Sequence, residues 1–194
     1  MNHSSEPKLA PPGAGLPWPE LLLARALFSL RRRMGTRRSF DALFAQELEI
    51  IRRLVGDCDE EAGSRRFLIA RLPGLEDSSR FWSVWMTLDH LRIVHLAIAE
   101  LIGELIKEVT PPGAASTASV KPSVDVGRNV ISTFETSCET LAAVVAASPN
   151  LNTKARFPHP WFGPLNAAGW HALMGIHMGI HRKQIESILK GLSR

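Results

Sequence analysis

The chain has 194 residues, enough for one domain with a sizeable core. It is 45% hydrophobic and 22% charged with a formal charge of +4, which is ordinary for a soluble globular protein and gives no reason to expect a nucleic-acid partner. Its two cysteines, Cys58 and Cys138, lack C-x-x-C spacing, which excludes a disulfide framework and a zinc–thiolate site and points to a reducing, cytoplasmic compartment.

Residues 1–16 are rich in Pro, Gly and Ser and read as a disordered tail, without the basic start of a signal peptide. A single helical domain is expected over 17–194. Trp18 to about Arg33 predicts a first helix, with Pro19 in its opening turn, Leu22, Leu23, Ala26, Leu27 and Leu30 on its inward side, and Gly35 as its stop. Arg25, Arg31, Arg32, Arg33, Arg37 and Arg38 occur with no acid among residues 25–38. Such a run could bind phosphates, but more often it is a solvated helix end. Ser39 reads as the N-cap of a second helix through Val55, with Phe40, Leu43, Phe44, Leu48 and Ile51 facing inward.

Residues 57–78 form a linker with a short apolar centre, Phe67 to Ile69, and a turn at Pro73-Gly74. Asp77 or Ser78 is expected to cap a helix from about Ser79 to Glu108 that is apolar on nearly all sides, as a central bundle helix is. Its Val94–Val109 stretch carries Glu100, Glu104 and Lys107, which excludes a membrane span there. His90 shares a direction with Met86, Val94, Ala97 and Leu101 and so points into a core, whereas His95 lies about 140° away. Thr110–Lys121 is a loop. Asp125 to about Ala147 reads as the next helix, with Val126, Val130, Phe134, Cys138, Leu141 and Val145 at helical spacing. A rigid loop at 157–164 precedes Asn166, which opens the last helix.

On that last helix Trp170, Leu173, Met174, His177, Ile180, His181, Gln184, Ile188 and Leu192 fall on one apolar arc, while Arg182, Lys183, Glu186 and Lys190 lie opposite with Gly175 and Gly179. His177 and His181 are therefore one turn apart within a buried stripe. Buried imidazoles without partners are costly. Either each bonds to a core carbonyl or hydroxyl, or the two share a metal ion. The elements together predict an all-α, antiparallel four-helix bundle with an extra N-terminal helix. In such a bundle, inward residues of different helices meet. Three neutral nitrogens from His90, His177 and His181 around one divalent ion would leave positions for water or substrate, the open arrangement of a catalytic site. Imidazole serves zinc, nickel and iron alike, so the ligand set does not choose the metal.

The pairing of Trp85-Met86-Thr87-Leu88-Asp89-His90-Leu91 with His177-x-x-x-His181-Arg182-Lys183-Gln184-Ile185 resembles the DinB/YfiT-like proteins. The run His159 to Leu165 resembles a branch of largely uncharacterised members. The resemblance covers about residues 39–192, and the helix before it departs from the minimal family pattern. It implies a four-helix bundle with one histidine from the second bundle helix and a pair from the fourth, holding a divalent metal such as zinc or nickel, with iron an alternative. It further implies a transferase of the thiol-dependent S-transferase kind, acting on a small-molecule substrate with a low-molecular-weight thiol such as mycothiol, bacillithiol or glutathione. A metal-dependent hydrolase on the same site, or a non-catalytic metal-binding or interaction bundle, are the alternatives. No catalytic residue beyond the ligands stands out. A homodimer is expected, both from the family tendency and from the all-round apolar character of 81–106, and no membrane partner. Among the remaining candidates, His171 reads as a surface or rim residue. His159 is either a fourth ligand or, more often, a hydrogen-bonded loop histidine. Cys138 reads as a buried structural thiol and Trp82 and Trp85 as core packing. Gln184 reads as either an orienting partner of a ligand or a core hydrogen-bonding residue.

Overall fold

Three of the long helices begin where a short polar side chain takes up a free N–H group. Thr36 accepts from the backbone of Ser39, Ser83 from Met86 and Asn166 from Gly169. In this computed structural model, which describes residues 6–193, the elements are α1 (Trp18–Met34), α2 (Arg37–Gly56), α3 (Glu60–Ser64), β1 (Phe67–Leu68), β2 (Phe81–Trp82), α4 (Val84–Leu105), α5 (Val130–Ala147), β3 (Phe157–His159), β4 (Gly163–Leu165) and α6 (Ala167–Leu192). α4 packs between α5 and α6, and α6 packs in turn on α2. The core is built from Ile51 and Val55 of α2, Trp85, Leu88, Leu91 and Ile102 of α4, Phe134 and Leu141 of α5, and Met174, Met178, Ile185 and Ile188 of α6. Gly175 and Gly179, expected on the solvent side, instead let α6 close on α2. A Cβ on Gly175 would stand 2.8 Å from Leu43, and one on Gly179 would stand 3.1 Å from Glu47.

Several boundaries differ from the sequence expectation, each for a local reason. α2 starts at Arg37, not after Ser39, because Thr36 and Ser39 form a reciprocal capping box with Ser39 as its inner member. α4 starts at Val84, not Ser79. The preceding residues pair instead as a two-stranded antiparallel ribbon, Phe67 opposite Trp82 and Leu68 opposite Phe81, and Ser83 then supplies the cap. α5 starts at Val130, not Asp125. Arg128 bonds back to Glu60, Cys58 and Gly56, which holds that stretch against the end of α2. α5 is long and apolar enough to cross a membrane by length and composition, with a third of it buried. It sets Val130, Phe134, Cys138, Leu141 and Val145 into the core as the spacing predicts.

Two expectations at the N-terminal end are corrected. The segment read as a disordered tail is tied down in its described part. Glu6 pairs with Arg66 at 2.7 Å, the Ala10 amide donates to Asp77 at 2.7 Å, and the Gly13 and Gly15 amides donate to the Glu76 carboxylate. Residues 1–5 of that segment lie outside the described residues. α1 buries the side opposite to Leu22, Leu23, Leu27 and Leu30. Phe28 packs on Phe162 with ring centres 4.5 Å apart, Arg25 donates to the Trp161 carbonyl, and Glu20 pairs with Arg71. Trp18, Leu22, Leu23, Leu27, Leu30 and Met34 are left 54–76% exposed. Specific polar and aromatic anchors on one face of α1 outweigh its larger apolar side in setting how the helix lies.

Candidate metal centre

His90 lies two turns into α4, and His177 and His181 lie midway along α6. The structure brings these three predicted residues together. His177 Nε2 is 3.3 Å from His90 Nε2 and 3.1 Å from His181 Nε2, and one nitrogen from each ring lies within 4.8 Å of the others.

The far nitrogens decide what the near ones can do. His90 Nδ1 is 2.6 Å from the Val120 carbonyl, which can only accept, so that nitrogen carries the proton. His181 Nδ1 is 2.7 Å from Gln184 Oε1. The amide of Gln184 is oriented by its own donation to the Ser79 carbonyl at 2.7 Å, so it accepts from His181. Both His90 and His181 therefore aim an unprotonated Nε2 at the Nε2 of His177. A single proton on His177 could serve only one of them, whereas a divalent cation satisfies all three lone pairs. A tetrahedral ion with Zn–N bonds of about 2.0–2.1 Å sets its ligand nitrogens about 3.3 Å apart, close to the separations found here.

Burial favours the neutral, ligating form of each ring. It pushes His90 down to about 4, against the opposing hydrogen bond to Val120. His177 and His181 are held well below the usual histidine range by burial and then by neighbouring imidazoles. No carboxylate or thiolate joins the three rings among the described residues. A bound ion would thus keep its full positive charge for an anionic or polarisable group beside it.

The other sequence candidates separate cleanly. His159 is not in the ligand group. Its ring stacks on Phe162 at 4.9 Å and its Nδ1 accepts from the Trp161 amide at 3.1 Å, the hydrogen-bonded loop role. His171, expected at the surface, is buried with its Nε2 2.8 Å from Asp41, a partner that α2 supplies and that helical phase alone does not reveal. His95 points away from the three rings towards α5, where its Nδ1 lies 3.4 Å from both Ser137 Oγ and Cys138 Sγ. Burial pushes the Cys138 thiol up to about 12, which suits a structural thiol and not a nucleophile. Trp85 is fully buried core, but Trp82 walls the site, its ring lying parallel to His181 at 6.2 Å and 5.2 Å from His90.

Three residues escaped the sequence reading: Val120, Glu76 and Lys121. Lys121 stands 5.2 Å from the Trp82 ring and bonds Glu76, Ser78 and Ser79 at 2.9–3.3 Å. Burial lowers its ammonium, and Glu76 opposes that. These residues sit on irregular segments, where no periodicity signals direction. A cavity of about 550 Å³ opens from the three histidines and is bounded by Trp170, Leu173 and Met174 of α6 and by the loop after α4.

No family model matches the chain, and none of the curated proteins matches it. Among solved structures the fold is similar to that of TT2238, a four-helix bundle protein, at 20% sequence identity and a TM-score of 0.56, over 78% of this chain and 98% of that one. At that identity the likeness shows the fold alone, a mostly helical chain on the four-helix-bundle plan; the three-histidine group that could hold a metal ion rests on this chain's own geometry.

Proposed function

We propose that the protein is a metal-dependent enzyme of the DinB/YfiT-like kind, holding a divalent ion on His90, His177 and His181. In this reading α2, α4, α5 and α6 form the antiparallel bundle and α1 is the extra helix. The observation that carries it is the convergence of the three Nε2 atoms with the far nitrogens of His90 and His181 already bonded to acceptors. Three neutral ligands, and cysteines buried elsewhere, favour a catalytic over a structural ion. The sequence resemblance supports zinc or nickel ahead of iron, and transfer to or from a low-molecular-weight thiol ahead of hydrolysis.

When bound, the ion would supply Lewis acidity that lowers the pKa of a thiol or water beside it. The chain supplies the rest. Val120 and Gln184 fix the two tautomers, Trp82 shields one side from solvent, and the cavity gives a reactant direct access to His177. We further propose a cytoplasmic setting and a homodimer, the exposed leucine side of α1 being the surface that a second copy would cover.

The test is metal analysis of protein purified without chelator and reloaded with zinc or nickel, beside His90→Ala, His177→Ala and His181→Ala. The expected result is one ion per wild-type chain, lost in each variant with helical content retained. A wild-type chain that takes up neither metal at micromolar concentration overturns the reading.

A further inference from the structure

The cavity beside the histidines is long. Its wall on α4 runs from His90 to Glu104, fourteen residues along the helix and so about 21 Å. Its wall on α6 runs from His181 back to Trp170. Between these ends the two helices present Val94, Ile98, Leu101, Leu173 and Met174, all apolar. The roof is the loop after α4, tied to the β3–β4 hairpin by the Ala115 amide donating to the Pro158 carbonyl at 3.0 Å.

The charges lie at the two ends and are largely matched there. At the histidine end Glu76 and Lys121 pair at 3.3 Å, and Glu76 also accepts from Thr117 at 2.8 Å. At the far end Glu104 pairs with Lys107, and Glu100 is exposed to water. A reactant bearing several charges would lose its hydration along this wall and meet no counter-charge. An apolar one gains by every methylene it buries.

We propose that this channel selects an elongated, largely apolar substrate whose one reactive polar end lies at the histidines. The assignment rests on the metal reading above for the chemistry at that end, and on the channel alone for the apolar body. If a thiol is the co-reactant, the channel defines the electrophile that receives its sulfur and not the thiol.

The experiment uses n-alkyl hydroxamates from butyl to dodecyl, titrated against the zinc-loaded full chain by tryptophan fluorescence, since Trp161 and Trp170 line the channel. Affinity is expected to rise about fourfold per added methylene until the channel is filled. Ala97→Phe projects a ring into the channel seven residues, about 10 Å, from His90, at a position of α4 that lines the channel and is itself exposed. It is expected to leave zinc content and butyl affinity unchanged and to abolish the gain for the long chains. On His177→Ala the butyl compound is expected to bind far more weakly while the length dependence persists. Affinity independent of chain length on protein that carries its zinc, or a length dependence untouched by Ala97→Phe, overturns the proposal. A length dependence cut by Ala97→Phe in a protein that takes no zinc sustains the channel and overturns the metal reading instead.

Discussion

Replacing Gln184 by methionine tests whether the arrangement around His181 serves a metal. Gln184 is fully buried, accepts from His181 Nδ1 at 2.7 Å and donates to the Ser79 carbonyl at 2.7 Å. Methionine fills a similar volume and makes neither bond. Two buried polar groups are left without partners, at about 1–3 kcal/mol each. A chain of this length loses roughly 2–4 °C of Tm per kcal/mol, so Tm should fall about 4–24 °C. Freed from its acceptor, the His181 proton is no longer confined to Nδ1. Loss of such a partner weakens metal binding about 10–100-fold. Gln184→Glu separates the two roles: it still accepts from His181, but it turns a second oxygen towards the Ser79 carbonyl. It should keep zinc affinity while losing stability. The assays are a zinc competition titration against a chromophoric chelator and thermal melts with and without zinc. A Gln184→Met protein that folds and binds zinc within threefold of wild type would refute the orienting role.

Three further outcomes follow from the same contacts. The folded chain holds His90 at about 4 and His95 at about 3, mainly by burial, so below the unfolded value near 6.5 the unfolded chain takes up protons that the folded one refuses. Stability of the metal-free protein is therefore full above pH 6.5 and falls as pH drops, by up to about 2 kcal/mol for each of these histidines at pH 5. Urea unfolding at pH 7 and pH 5 reads this, and equal midpoints would contradict it. Leu23→Lys with Leu27→Lys on α1 should convert a dimer to a monomer in sedimentation without lowering Tm, because both side chains are more than half exposed; a wild-type monomer at high micromolar concentration removes the dimer. Glu76→Gln leaves Lys121 without its counter-charge and weakens the hold on Gly13 and Gly15, costing about 1–3 kcal/mol. Faster proteolysis within residues 6–16 is the sign, and an unchanged cleavage rate would show that Glu76 does not hold the segment.

The legible parts of this chain were those with a period. The inward phase of His90 on α4 and of His177 and His181 on α6 follows from 3.6 residues per turn, and Asn166 announces its helix by chemistry that acts within three residues. What escaped depends on contacts between distant segments. The start of α4 is set by pairing of residues 81–82 with 67–68, and the start of α5 by Arg128 reaching the end of α2. His171 looked like a rim residue because its acceptor, Asp41, is 130 positions away. The lie of α1 was misread for a related reason: hydrophobic area counts only where something meets it, and here Phe28, Arg25 and Glu20 found partners while the leucines did not.

The division between core and site bears on what an ion would do to stability. The buried side chains of α4, α5 and α6 pack on either side of the histidines, so the helices meet through apolar contacts that need no metal. A chain of this length buries enough surface to fold on that basis. An ion binding the folded state alone then adds stability by mass action, about 2.7 kcal/mol at a hundredfold excess over its Kd. That corresponds to roughly 5–10 °C in Tm. Chelated wild type should therefore unfold cooperatively from a helical state, and zinc should raise its midpoint by that amount. His177→Ala should resemble the chelated protein and ignore zinc. Loss of the fold on chelation, reversed by zinc, would instead make the ion structural and remove the main argument for an enzyme.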